Sequence, residues 1–204
     1  MMKRVFLVIN LIFWISISSR AQQKDYNKSG PSIPGIDFGT KLGAVGTKIN
    51  HNDFYGTIRY SYQAGVYLSF EALPLFSFQT EFLYNRVRVD NLNDYPGLDA
   101  GLKGMGYWSI PFLLQLKPVN FIRIGLGPQW NFQSNRDKYK LQNGQDAFKN
   151  YVSLALDAQL KLSSKTRIYF RYNKGLQSFE NLTTRDAPRM NRLEFGLMQS
   201  LILN

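Results

Sequence analysis

Apolar and polar residues alternate almost without exception along RYSYQAGVYLSFE, from Arg59 to Glu71. Tyr60, Val66 and Phe70 belong to the apolar row, and charged, small or polar residues mostly fill the positions between. A period of two is the side-chain repeat of an extended strand, so the stretch is predicted to form a two-faced β-strand. Its apolar face points inward in a soluble barrel and into lipid in a membrane barrel. The function of the chain depends on which of these applies.

Seven further segments repeat this alternation, and no stretch after Ala21 shows long helical periodicity. Together with Arg59–Glu71 they make eight predicted strands. The seven others are 35–45, 76–85, 107–117, 121–132, 152–161, 167–173 and 192–203.

Short turns and long polar loops alternate between the predicted strands. The short turns are centred near 73–75, 118–120 and 163–165, and the long polar segments are 46–58, 90–106, 134–150 and 177–190. Short turns at one end and long loops at the other are typical of an outer-membrane barrel. The sequence therefore predicts an all-β fold, an eight-stranded antiparallel up-and-down transmembrane β-barrel over residues 35–204, preceded by a short segment at 22–34.

The first 21 residues have the layout of a secretory signal peptide. Lys3 and Arg4 precede the apolar run VFLVINLIFWIS, and small residues lead to a predicted cleavage between Ala21 and Gln22. An uncleaved anchor is the alternative, but the run is shorter than the roughly 20 apolar residues that span a bilayer. The chain has no cysteine, which excludes a lipid-anchoring cysteine, disulfides and thiolate metal sites.

The formal net charge of +11 comes from basic residues scattered along the chain, with no dense basic run. Because the chain is predicted to be exported, we expect no nucleic-acid partner. We expect contact with anionic outer-membrane lipid such as lipopolysaccharide, and contact with envelope proteins through the long loops.

The distribution of charge favours the membrane barrel over a lipocalin-like soluble barrel. The apolar rows carry no charge, while the opposite rows do, as expected for a barrel with lipid outside. The residues predicted to form a charged network in the barrel interior are Lys41, Arg59, Glu71, Glu81, Arg123, Asp157, Arg171 and Glu194. The residues predicted to form a lipid-facing aromatic girdle are Tyr60, Tyr62, Tyr84, Trp108, Trp130 and Tyr172.

The interior of an eight-stranded barrel is just wide enough for side chains to fill it. An unpaired buried charge is strongly destabilising, so the interior charges must pair with one another. Counting from the turn at 163–166 brings Asp157 opposite Arg171, with Glu194 on the next strand within reach of Arg171. A plugged scaffold is therefore favoured over an open pore lined by these charges.

Catalytic and ligand-binding signals are weak. The only histidine is His51, predicted to lie in the first loop, and Ser61 is a conceivable nucleophile for it. Nothing in the spacing makes them a catalytic pair, so no catalytic, cofactor-binding or metal-binding residue is assigned and the chain is not expected to be an enzyme.

A resemblance to a known family rests on six short segments and on their order along the chain. The segments are GIDFGTKLG, YQAGVYLSFEALPLFSFQTEFLYN, YWSIPFLLQLKP, FIRIGLGPQW, KLSSKTRIYFRYNKGL and RLEFGLMQSLIL. In this order the chain resembles the PorT-like outer-membrane β-barrel family, found largely in Bacteroidota. The resemblance implies an exported barrel of a Gram-negative cell envelope with no cofactor and no defined catalytic residues. The namesake of the family takes part in type IX secretion, so an envelope complex is one expected context.

Three functional hypotheses follow. The leading one is a structural or interaction scaffold of the outer membrane whose loops contact partners. The second is a small passive channel. The third is a lipid-modifying outer-membrane enzyme that uses His51.

Overall fold

Long antiparallel strands account for most of the structure. The computed structural model describes residues 35–51, 54–55, 58–71, 73–88, 104–134, 139–140, 144–179 and 189–201. The strands are β1 Ile36–His51, β2 Phe54–Tyr55, β3 Arg59–Phe70, β4 Phe76–Val87, β5 Met105–Val119, β6 Ile122–Ser134, β7 Tyr151–Lys161, β8 Thr166–Gly175 and β9 Arg189–Ser200. The predicted signal peptide and the segment 22–34 lie outside the described residues.

The eight long strands pair in chain order and close into a barrel. Each strand is antiparallel to its neighbours, and β1 pairs with both β3 and β9. Val45 of β1, for example, lies opposite Ser61 of β3 on one side and Glu194 of β9 on the other. The predicted eight-stranded antiparallel up-and-down barrel is confirmed. The described residues contain no helix long and apolar enough to cross a membrane.

The two faces of each strand differ sharply in exposure. On β3, the side chains of Gln63, Tyr67 and Ser69 are buried in the barrel, whereas Tyr62 is 54% and Leu68 is 45% exposed on its outside. The same alternation of buried and exposed residues is found along β4 to β9. The apolar row of the opening stretch therefore faces outward and the polar row inward.

The first predicted loop is shorter than expected. β1 continues to His51 instead of ending at Val45, and β2 pairs back onto its end with Asn50 opposite Tyr55. The placement of His51 in a loop was wrong, since it is the last residue of a strand. The sequence did not predict this extension because residues after Val45, such as Lys48 and Asn50, are polar. This part of the strand extends beyond the apolar band, so its residues need not alternate with apolar ones.

The short turns lie at the end of the barrel opposite the long loops. In the turn between β7 and β8, the backbone nitrogen of Leu162 donates to the carbonyl of Thr166 at 2.9 Å, and the Ser163 hydroxyl accepts from the backbone nitrogen of Thr166 at 3.1 Å. Between β5 and β6 the register shifts next to Pro118, which has no N–H to donate to the ladder. These turns define the turn end of the barrel, and the other end is its loop end.

Candidate functional site

Four charged side chains meet near the middle of the barrel interior, and we call them the central cluster: Lys41, Glu81, Asp157 and Arg171. Arg171 binds Glu81 with two bonds, Nη1 to Oε2 at 2.8 Å and Nη2 to Oε1 at 2.6 Å. Arg171 Nε also donates to Asp157 Oδ1 at 2.8 Å, and Lys41 Nζ donates to Glu81 Oε2 at 3.0 Å. All four residues are buried, and their two positive and two negative charges balance.

Two glutamines complete the hydrogen bonding of the carboxylates in the central cluster. Gln79 donates its amide to Glu81 Oε1 at 2.5 Å, and Gln159 donates to Asp157 Oδ2 at 2.8 Å. Buried charges are tolerated when pairing and hydrogen bonding satisfy them together, as they are here. The cluster therefore places four paired, hydrogen-bonded charges inside the barrel.

Glycine makes the room that this packing needs. The Tyr169 ring lies beneath Lys41 Nζ, 3.8 Å from the ring centroid, and its hydroxyl accepts from Gln63 Nε2 at 2.5 Å. A Cβ on Gly43 would collide with that same hydroxyl, so the inward position on β1 must be glycine. Gly43 thus provides space for the Tyr169 ring.

A second group lies nearer the loop end, and we call it the polar layer: Asn131, Asn173, Arg192 and Glu194. Asn173 donates to Glu194 Oε1 at 2.6 Å and Arg192 Nη2 donates to Asn131 Oδ1 at 2.7 Å, while Arg192 Nε is 3.7 Å from Glu194 Oε1. Glu194 lies opposite Arg171 in the register of β8 and β9, but Asn173 and Arg192 are the partners of its carboxylate.

An apolar cluster lies at the loop end of the interior. Tyr139, Phe148 and Phe179 come from segments expected to be polar loops, yet all three are buried. The rings of Phe148 and Phe179 stack with centroids 6.0 Å apart, and Lys149 N donates to the Phe179 carbonyl at 2.8 Å. We call the whole cluster the apolar lid: Val87, Met105, Tyr107, Tyr139, Ala147, Phe148, Tyr151, Phe179 and Met190.

The loop residues of the apolar lid are held by backbone hydrogen bonds as well as by packing. Ala147 N donates to the Tyr139 carbonyl at 2.8 Å, and the Tyr139 hydroxyl donates to the Gly104 carbonyl at 2.6 Å. Burial raises the pKa of the Tyr139 phenol, which keeps it a neutral donor. Gly144 has a φ of 78°, which favours glycine in the turn between Lys140 and Asp146.

The turn end carries a separate set of charges. Glu71 accepts from Arg123 Nη2 at 2.8 Å and also pairs with Lys117. Arg123 is the second residue of β6, so it lies near this end, and it pairs there with another member of the predicted interior network and not with Glu81 or Asp157. At the opposite end of the barrel, Arg59 is exposed as the first residue of β3 and lies outside the buried network.

A further ion pair lies just inside the turn end. Arg167 pairs with Asp37, and its Nη2 also donates to the Tyr67 hydroxyl at 3.2 Å. Ser200 donates its hydroxyl to Asp37 Oδ1 at 2.6 Å. Arg167 and Asp37 are 130 positions apart in sequence, so no local pattern predicts their pairing.

Six aromatic side chains project outward on the loop-end halves of their strands: Tyr60, Tyr62, Tyr84, Trp108, Trp130 and Tyr172. They pack against their outward neighbours. Trp108 stacks on Phe82 with centroids 4.8 Å apart and meets the edge of Tyr84 at 5.1 Å, and Trp130 meets Phe112 at 5.4 Å. All six occupy outward positions, and their contact with lipid stays a prediction.

Of the two residues in the enzyme hypothesis, only Ser61 has a described side chain. The Ser61 hydroxyl donates to the backbone carbonyl of Arg86, and the side chain of His51 lies outside the described residues. Among the residues that the structure describes, no group of three or more acidic or histidine side chains is placed to hold a metal ion.

No protein-family model and no curated protein matches the chain. Among solved structures it is similar to Ail, the attachment invasion locus protein of Yersinia pestis, with a TM-score of 0.49 and 11% identity over 81% of this chain and 98% of that one. It is similar to Neisserial surface protein A with a TM-score of 0.47 and 11% identity over 82% and 99% of the two chains. For the outer membrane protein OprG from Pseudomonas aeruginosa the TM-score is 0.41 and the identity 14%, over 82% and 95%. None of these similarities assigns this chain an activity, a ligand or a partner.

Proposed function

We propose that the chain is an outer-membrane β-barrel that acts as a closed scaffold and presents its long loops to partners in the bacterial envelope. The observation that carries the proposal is the filled interior, in which the central cluster and the apolar lid lie one above the other. The role is one of structure and interaction, not catalysis.

The outer surface supports a membrane location. Outward positions along the strands carry large exposed apolar side chains, among them Phe78, Phe112, Leu126, Phe170 and Leu197. A continuous apolar surface of this extent is unfavourable in water and suits a lipid environment. The long strands have 10 to 16 residues, which is enough for the 9–11 residues that cross a bilayer in a tilted strand.

The interior supports a scaffold over a channel. An ion crossing the barrel would have to displace the bidentate bond between Arg171 and Glu81 and also open the packed rings of Phe148 and Phe179. Both lie on the path between the two ends of the barrel. The passive channel therefore has no specific observation in its favour.

The long loops support the choice of an interaction role. Scaffolded loops are where binding function concentrates in rigid folds. The resemblance to the PorT-like family adds a context, because its namesake takes part in type IX secretion. We therefore propose an envelope complex of a Gram-negative, Bacteroidota-type cell as the setting, with the loop end as the contact surface.

Tryptophan quenching tests the membrane location without any label. In a chain beginning at Gln22, Trp108 and Trp130 are the only tryptophans, and both project outward. After refolding into vesicles, we expect lipids brominated on their acyl chains to quench the fluorescence strongly and aqueous acrylamide to quench it weakly. Trp130→Phe isolates Trp108 as a control. Strong acrylamide quenching with no effect of brominated lipid would show that the outward face does not contact lipid.

Site-specific photocrosslinking in native outer membranes tests the interaction role. A photoreactive residue at Lys149, exposed at the loop end, is compared with one at Leu114, exposed in the apolar band. We expect protein adducts of reproducible mass from position 149 and lipid adducts from position 114. If position 149 also yields only lipid or self-adducts in cells grown under several conditions, the scaffold role is rejected.

A further inference from the structure

The charges on the outside of the barrel are distributed with a clear bias. Within the described strands, every charged residue at an outward position is basic and lies at the loop end. These residues are Lys48, Arg86, Lys174 and Arg189, and all four are exposed. The acidic residues of the same strands point inward. Outward charges of a single sign at only one border of the apolar band indicate that this border meets a different environment from the other border.

Three of these residues lie close together on adjacent strands, and we call them the basic arc: Lys48, Lys174 and Arg189. Lys48 of β1 is opposite Asn191 of β9, and the register of Asn173 with Arg192 places Lys174 of β8 beside Asn191 on the other side. Neighbouring strands are about 4.8 Å apart, so the two lysine backbones are about 10 Å apart. Arg189 precedes Asn191 by two residues on β9, lies on the same face and is nearer the loop end.

The basic arc directly borders the apolar band. Tyr172 is the outward residue next to Lys174 on β8, Leu193 follows the outward Asn191 on β9, and both Tyr172 and Leu193 are exposed. Among the described residues, none of the three basic side chains forms an ion pair. Their charges are therefore available to an anion held at the level where acyl chains meet head groups.

We propose that the basic arc binds the phosphate groups of a phosphorylated saccharolipid, the lipid A type of molecule, in the outer leaflet. This inference rests on the proposed outer-membrane location. Two cations held apart on a rigid sheet match two phosphates held apart on a disaccharide, with Arg189 available for bidentate contact. The arc is at the loop end, which faces the outside in barrels of this type.

The bias toward one end selects this lipid class over phosphatidylglycerol. A glycerophospholipid present in both leaflets would favour outward cations at both borders of the apolar band. At the turn end the described strands have no outward cation; Lys161 and Lys165 lie there, but Lys161 occupies an inward position and Lys165 lies in the turn. These two lysines supply a matched control with the same change of charge.

The test measures lipid binding to the refolded full-length mature barrel in detergent by native mass spectrometry. The probes are purified diphosphoryl lipid A, monophosphoryl lipid A and phosphatidylglycerol. The protein variants are wild type, Lys48→Gln with Lys174→Gln, Lys161→Gln with Lys165→Gln, and Lys48→Arg with Lys174→Arg. We expect the first double variant to bind diphosphoryl lipid A about 30-fold more weakly, since each basic residue at an anionic surface contributes about fivefold. The turn-end double variant and the arginine variant should bind like wild type.

The remaining outcomes overturn the inference in distinct ways. Equal binding of phosphatidylglycerol and diphosphoryl lipid A by wild type would reject the saccharolipid, and equal loss in both glutamine variants would reject the basic arc as the site. The tryptophan-quenching experiment is run on the same samples. Strong quenching by brominated lipid with no lipid A preference refutes only this inference, whereas absence of that quenching refutes the membrane location itself.

Discussion

The central cluster and the apolar lid fill two levels of the same barrel by opposite means. The central cluster uses charges from β1, β4, β7 and β8, every one of which is paired. The apolar lid uses rings, three of them from the segments that connect strands. The central cluster ties strands on different sides of the barrel together, whereas the lid rests on the end of a barrel that is already closed. We therefore expect the cluster to control global stability and the lid to control local opening.

The polar layer between them makes the contrast sharper. Arg192 Nη1, Glu194 Oε2 and Asn173 Oδ1 are buried and have no hydrogen-bond partner among the described residues. Buried polar atoms of this kind are usually satisfied by internal water. The barrel thus has a fully paired middle and, beneath the lid, a level in which some buried polar atoms have no partner among the described residues.

The largest effect is expected from Glu81→Ala. The substitution leaves Lys41 without its carboxylate partner and Arg171 with one of its two. Leaving a buried charge unpaired typically costs about 3–5 kcal/mol, so the free energy of unfolding should fall by about that much. Urea unfolding of the refolded barrel in lipid vesicles measures the change. A loss below about 1 kcal/mol would mean that the central cluster does not hold the barrel together.

A smaller and more local effect is expected from Phe148→Ala. Removing a buried aromatic ring typically costs about 3–5 kcal/mol, but here the loss should appear as opening of the lid and not as unfolding of the strands. Limited proteolysis at the loop end should become at least about 100-fold faster, since each 1.4 kcal/mol is tenfold, while the urea midpoint of the barrel changes little. A shift of the urea midpoint as large as that of Glu81→Ala would contradict the separate roles of the central cluster in global stability and of the lid in local opening.

The smallest effect is expected from Glu71→Ala. Its carboxylate pairs with Arg123 and Lys117, as Glu81 pairs with two cations, but its side chain is 35% exposed at the turn end. Ion pairs near the surface contribute about 0.2–1 kcal/mol each, so the loss of both pairs should lower the free energy of unfolding by no more than about 2 kcal/mol. The same urea experiment serves as the matched control for Glu81→Ala, since both variants remove one carboxylate with two cationic partners.

The contrast between the central cluster and the apolar lid also shows which features could be predicted from the sequence. The strands and their faces could be predicted because the period of two is set by backbone geometry, and the opposition of Asp157 and Arg171 could be counted from one short turn. The pairing of Arg171 with Glu81 joins strands 90 positions apart in sequence, and no local pattern encodes it. Phe148 and Phe179 lie in polar segments with no periodicity, so the apolar lid could not be predicted.

Conductance of the refolded protein in a planar lipid bilayer tests the closed interior most directly. Wild type and a lid variant, Phe148→Ala with Phe179→Ala, are compared under the same applied voltage. We predict no steady single-channel steps from either, because opening the lid still leaves Arg171, Glu81, Lys41 and Asp157 across the lumen. Steady steps from wild type would contradict the closed scaffold, and steps from the lid variant alone would show that the lid, not the central cluster, closes the barrel.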